Sequence, residues 1–187
     1  CLILICMMLV FTGDYNQVVV EQWNNTNSTD INKIWIDIDG DSNAVDVGQG
    51  CKFLYSNSTS CDRDTHEDAG HEMEINITGD YNWVRGGQKS GTADPDHTLV
   101  MDINSDNNSV WFTQAGSGDK NLDLTINNDG NSVSIHQHYG AHTATVTLDG
   151  TSPTDLNLIQ TGGPSQTYNL MQNCLTIGGC SVSVTQQ

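Results

Sequence analysis

The stretch GDYNQVVVEQ (13–22) returns as GDYNWVRGGQ at 79–88, with a turn, an Asn, a Val and a closing Gln at the same offsets. Aligned on that Gln, GDSNAVDVGQ ends at Gln49, SDNNSVWFTQ at Gln114 and NDGNSVSIHQ at Gln137. Blurred copies end at Gln160 (PTDLNLIQ) and Gln186 (GGCSVSVTQ). The recurring step is about 23 residues, and the longest step, from Gln49 to Gln88, holds the insertion 51–70. A period of this size means a chain built by stacking small units, each too small to bury its own apolar face.

Each copy follows a second apolar half. IWIDIDG leads into GDSN, EMEINITG into GDYN, LVMDINS into SDNN, LDLTINN into NDGN, and TATVTLDG into the blurred sixth copy. Within the halves the residues alternate: Ile34, Ile36 and Ile38 share one face, and Trp35, Asp37 and Asp39 the other. After the turn, Asn43, Val45, Val47 and Gln49 share a face. Period two marks half-buried strands. The unit is therefore strand–turn–strand, and the expected fold is all-β: a β-solenoid of stacked repeats of about 23 residues with a thin core between two parallel sheets. Gly13, Gly40, Gly79 and Gly130 provide the backbone freedom for the turns.

The amides have the parity of the core, and a buried amide needs partners for its donors and acceptor. In a stack, identical amides lie about 4.8 Å apart and bond along the axis. Two ladders are expected: Asn16, Asn43, Asn82, Asn108 and Asn131, and Gln22, Gln49, Gln88, Gln114, Gln137, Gln160 and Gln186.

The unit resembles the curlin repeat of bacterial curli fibre subunits, a strand–turn–strand with an internal Asn and a closing Gln. The resemblance runs over 13–186. It implies a solenoid and an extracellular structural role. The family also places a Ser and an earlier Gln in the first strand, where this chain has aliphatics such as Ile34 to Ile38.

Composition narrows the partners. With 6 basic and 23 acidic residues among 187, the net charge is -17, which disfavours nucleic acid and anionic lipid. Only 36% of the chain is hydrophobic, but the polar excess is Asn, Gly, Ser, Thr and Gln in alternation with apolar residues, which favours thin strand-built structure over disorder. The apolar segment 1–12 is too short to span a bilayer as a helix. It reads as a truncated signal h-region or an N-terminal plug of the solenoid at 13–187, with a lipidated Cys1 and a buried strand as the other readings. Export makes disulfides the expected state of the pairs Cys51–Cys61 and Cys174–Cys180.

Sites for chemistry are sparse. DIDGDSN (37–43) lacks the Gly and Glu placement of a calcium loop, so Asp37 and Asp39 are weak cation ligands at most. His136 and His138 share an outward face and would need a third ligand to hold a metal. HEDAGH is not HExxH, and no nucleophile elbow or phosphate loop occurs. No metal, cofactor or enzyme activity is expected. Outward Trp35, Trp83 and Trp111 are candidates for a contact patch. The sequence is thus read as a secreted, extracellular filament subunit that partners itself head to tail by strand addition. The alternative is a capped binding module, such as a viral fibre tip or adhesin, that recognises a surface glycan or protein.

Overall fold

The computed structural model describes residues 6–22, 32–49, 71–88, 97–115, 119–138, 141–162 and 166–186. Each stretch is one strand–turn–strand unit, numbered here one to seven in chain order. The chain is all-β, with no helix among the described residues and every strand pair parallel. It is a β-solenoid.

The second strands form one seven-stranded sheet: Gln17–Gln22, Ala44–Gln49, Trp83–Gln88, Ser109–Thr113, Ser132–Ser134, Thr154–Leu158 and Cys180–Val184, each beside its chain neighbours. Register is strict: Val18 faces Val45, Val45 faces Val84 and Val84 faces Val110. The first strands form the opposite layer, split into three smaller sheets rather than one. Only units six and seven carry an unbroken first strand, His142–Gly150 beside Gln166–Cys174.

The core is the set of inward rows between these layers. Ile34, Ile36 and Ile38, then Met73, Ile75 and Ile77, then Leu99, Met101 and Ile103 are buried along the first layer. Val45, Val84, Val110, Val133 and Leu156 answer them from the second. Identical positions stack, so their sizes must compensate. Gly86 lies opposite Phe112 in the register, and a Cβ there would approach the Phe112 ring to 2.6 Å. The missing side chain in unit three makes room for the largest one in unit four.

The turn explains why the GDxN spelling recurs. Gly40 has φ +146, and a Cβ there would run into the carbonyl of Gly79 one unit on. The third position is left-handed in unit after unit: Tyr15, Ser42, Tyr81 and Asn107 have φ between 58 and 61. The Asp at the second position accepts the main-chain N–H of the preceding unit's Asp: Asp14 to Asp41 (2.6 Å), Asp41 to Asp80 (2.7 Å), Asp80 to Asp106 and Asp106 to Asp129 (both 2.8 Å).

The apolar segment set apart in the sequence takes part in the solenoid from Cys6 onward. Cys6–Met7 pairs with Lys33–Ile34, and Val10–Thr12 with Asp37–Asp39. The insertion 51–70, with the proposed Cys51–Cys61 pair, lies outside the described residues.

Candidate functional site

The polar rows set what each end of the stack presents. The Asn row has a single direction. The main-chain N–H (2.9 Å) and Nδ2 (3.2 Å) of Asn43 both donate to Oδ1 of Asn16. Asn82 does the same to Asn43, Asn108 to Asn82 and Asn131 to Asn108, all between 2.9 and 3.1 Å. Nδ2 also reaches the turn of the next unit, from Asn16 to the Gly40 carbonyl (2.7 Å) and from Asn43 to Gly79 (2.8 Å). Each amide thus clamps its own turn to its neighbour's. The row stops at Thr154, whose N–H takes Oδ1 of Asn131.

The Gln row differs from a continuous ladder. Nε2 of Gln22 donates to Gln49 and Nε2 of Gln49 to Gln88, both at 2.9 Å. Gln88 then donates to the His97 carbonyl (2.9 Å), and Gln114 to the Thr98 carbonyl (2.8 Å). Beyond this point the direction reverses: Gln186 donates to Gln160 (2.9 Å), Gln160 to Gln137 and Gln137 to Gln114 (both 2.6 Å). Two adjacent main-chain carbonyls draw the amide donors of units three and four, so the expected Gln88–Gln114 link is replaced. Both halves of the row therefore turn their carbonyl oxygens toward the ends of the molecule. At the first end, Oε1 of Gln22 is buried without a partner.

The disulfide Cys174–Cys180 occupies the last unit. Cys180 is in register with Thr154, at the end of the Asn column, and Cys174 with Gly150, in the glycine column of the turn. In earlier units an Asn amide bridges these columns by hydrogen bonding to the following unit. In the last described unit a covalent bond spans the turn instead.

The terminal units leave the core rows only partly covered. Met7, Leu9 and Phe11 continue the rows of Ile34, Ile36 and Ile38, yet they are 48%, 37% and 44% exposed. Tyr168, Leu170, Val182 and Val184 at the other end are only partly buried against the core. Among the described residues, no strand pairs with the outer edges of Gln17–Gln22 or Cys180–Val184.

The three tryptophans do not form one patch. Trp83 and Trp111 lie on the outward face of the seven-stranded sheet, one unit and two positions apart. Arg85 places its guanidinium carbon 5.8 Å from the centre of the Trp111 ring and Nε 3.7 Å from Asp46. Burial raises the Asp46 carboxyl above its ordinary value, opposed by Arg85. Trp35 belongs to the first-strand layer, on the other side of the core. Strand parity alone does not show which of two layers a residue decorates.

The cation candidates are also apart. His136 and His138 point outward, with ring centres 5.9 Å apart, and Ser134 Oγ is 3.2 Å from His136 Nε2. Burial lowers both imidazoles below their ordinary value. Asp39 accepts a 2.5 Å bond from the Thr12 hydroxyl, and Asp37 is exposed. Among the described residues no three His, Cys, Asp or Glu side chains are grouped to hold a metal.

Sequence reasoning missed one row. Two positions ahead of the aliphatic run, Asn32, His71, His97, Lys120 and His142 are all buried, with Gln166 half-buried after them. His97 bridges to Lys120, and Lys120 is in register with His142. The His71 and His97 rings are 4.7 Å apart. Burial draws the Lys120 ammonium down to about 8, against the pull of Asp119. The available signal was the parity of these positions, which is that of the core.

Comparison with family models, curated proteins and solved structures finds no match to this chain.

Proposed function

We propose that this chain is a structural subunit of an extracellular filament, joining copies of itself end to end by strand addition. The observation that carries the reading is the state of the terminal units. At both ends inner rows stop with apolar side chains incompletely covered, save the row of Ile38, which stops at Gln172, and the sheet stops on an edge with no further strand among the described residues. Such an edge templates another strand. A copy set on the end would continue the row of Val18 and Val45 with Val182, and the row of Val20 and Val47 with Val184, because these are the same positions of the repeat. The likeness of the unit to the curlin repeat, and a disulfide suited to an oxidising compartment, point the same way. The contact is heterologous and open, the geometry that extends rather than closes.

Negative-stain microscopy of the full chain at neutral pH, with and without sheared seeds, tests this. Long filaments whose growth is seeded are expected, and fibre diffraction from them should show a repeat of about 4.8 Å along the axis. Persistent monomers or small closed oligomers would overturn the reading.

A further inference from the structure

We propose that the lateral face around Trp35 is a binding site for one neutral pyranose residue of a glycan. This goes beyond assembly, since the site lies on the lateral face of units two to four and not on an end face of the stack. Lys33, Trp35, Glu72, Glu74, Thr98 and Val100 line an open depression of about 190 Å³ over Ile34 and Met73. That is below the size of pockets that take drug-sized ligands, and it suits a single ring. Trp35 is 46% exposed, so it offers a flat apolar surface at the rim.

The main chain here departs from a strand. Glu74 (φ 78), Val100 (φ 46) and Asp123 (φ 131) are left-handed at the same repeat position in units three to five. For a β-branched residue such as Val100 this conformation is strained, and strain of this kind gathers at functional sites. The kink interrupts the pairing of units two and three. Among the described residues the Trp35 and Glu74 N–H groups meet no acceptor, while Val100 N–H crosses to the Met73 carbonyl (3.1 Å). Two main-chain donors are thus left beside an exposed indole and a carboxylate. Asn76 Nδ2 holds that carboxylate, Glu74, at 3.2 Å, which leaves acceptor capacity for hydroxyl groups.

Charge selects among ligands. Lys33 pairs with Glu72, no cation among the described residues pairs with Glu74, and the chain as a whole carries -17. An anionic sugar is repelled. One aromatic face without a cage does not enclose a quaternary ammonium ion. A neutral ring with an apolar face and several hydroxyls uses all three elements: indole, carboxylate and main-chain donors.

The test is calorimetric titration of the full chain with hexamers of β-1,4-linked glucose, β-1,4-linked N-acetylglucosamine and α-linked mannose. Polygalacturonate and tetramethylammonium chloride serve as charged controls. At least one neutral hexamer is expected to bind. Trp35→Ala should weaken it by about tenfold or more, and Trp35→Phe by about threefold or less. Trp83→Ala, on the other layer, should leave it unchanged. Absence of binding by all three neutral hexamers, an unchanged affinity in Trp35→Ala, or stronger binding of either charged control would overturn the proposal. The titration reads the same on monomer and filament, so its outcome is separate from that of the microscopy.

Discussion

At the scale of single residues, buried amides do what apolar side chains cannot: they specify register. Asn82 shows why. Its Oδ1 takes both the N–H and the Nδ2 of Asn108 (3.0 Å each), while its Nδ2 donates to Asn43 Oδ1 (3.1 Å) and to the Ser105 carbonyl (2.8 Å). Asn82→Asp keeps the shape and the acceptor but sets a carboxylate oxygen against two acceptors. The expected loss at neutral pH is about 2–3 kcal/mol, read as a fall in the urea midpoint. Acidification should recover part of it, because protonation restores one donor; an unchanged midpoint would show that the row does not support stability. Lys120 makes the opposite case, a buried polar group that weighs against folding. It is 1% exposed, between His97 and His142 in its row. Burial lowers the ammonium from an ordinary 10.5 to about 8. Between those values the unfolded chain holds more protons than the folded one, so stability should rise with pH across that interval. Below about 8 the buried charge opposes folding throughout. Denaturation of the native chain and of Lys120→Met, compared from pH 7 to 10, checks this. The native midpoint should climb relative to the variant, and parallel curves would remove Lys120 as the source.

At the scale of elements, each unit contacts only its neighbours, so damage should stay local. The last unit tests this. Its turn is spanned by Cys174–Cys180, and the hydrogen bonds from Thr151 (2.9 Å) and Ser152 (3.1 Å) to the Cys174 carbonyl tie unit six to the same point. Reducing this short loop should lower stability by about 2 kcal/mol. Hydrogen exchange should quicken in 166–186 and in the turn at 151–153, while units two to four keep their protection. Uniform loss along the chain would mean that the units unfold as one. Much of this architecture was legible in the sequence, for a physical reason: a residue such as Ile36 or Val45 must repeat its parity in every unit or the core opens. The kink at Glu74, Val100 and Asp123 was not legible. Leu99, Met101 and Ile103 alternate and are buried as if the strand were straight, so side-chain parity carries no trace of the left-handed main chain between them. The reversal of the Gln row was hidden in the same way. Gln88 and Gln114 are the same residue at the same position, and only the nearby carbonyls of His97 and Thr98 decide which way their amides turn.

At the scale of the whole molecule, the end-to-end reading must contend with charge and with imperfect ends. Two copies, each at -17, repel along the approach, and the repulsion reaches about 30 Å at 0.01 M salt but only about 10 Å at 0.1 M. The joint is apolar through Leu9, Val18 and Val20 on one side and Leu170, Val182 and Val184 on the other, while Phe11 would meet Gln172, the last member of its own row. It is also short of polar partners. The carbonyl of Gln22 and that of Gln186 would face each other across it, and Cys180 stands where Asn16 would seek an amide oxygen. A joint is therefore weaker than a contact between units inside the chain, and filaments should grow slowly from solution but readily from seeds. Added salt should accelerate seeded growth several-fold between 0.01 and 0.15 M, because it screens the repulsion and leaves apolar contact intact. Growth followed by light scattering at fixed seed concentration measures this. A rate that falls with salt would mean that opposite charges, rather than the uncovered rows, bring the ends together, and the end faces would then need a different occupant from a second copy of this chain.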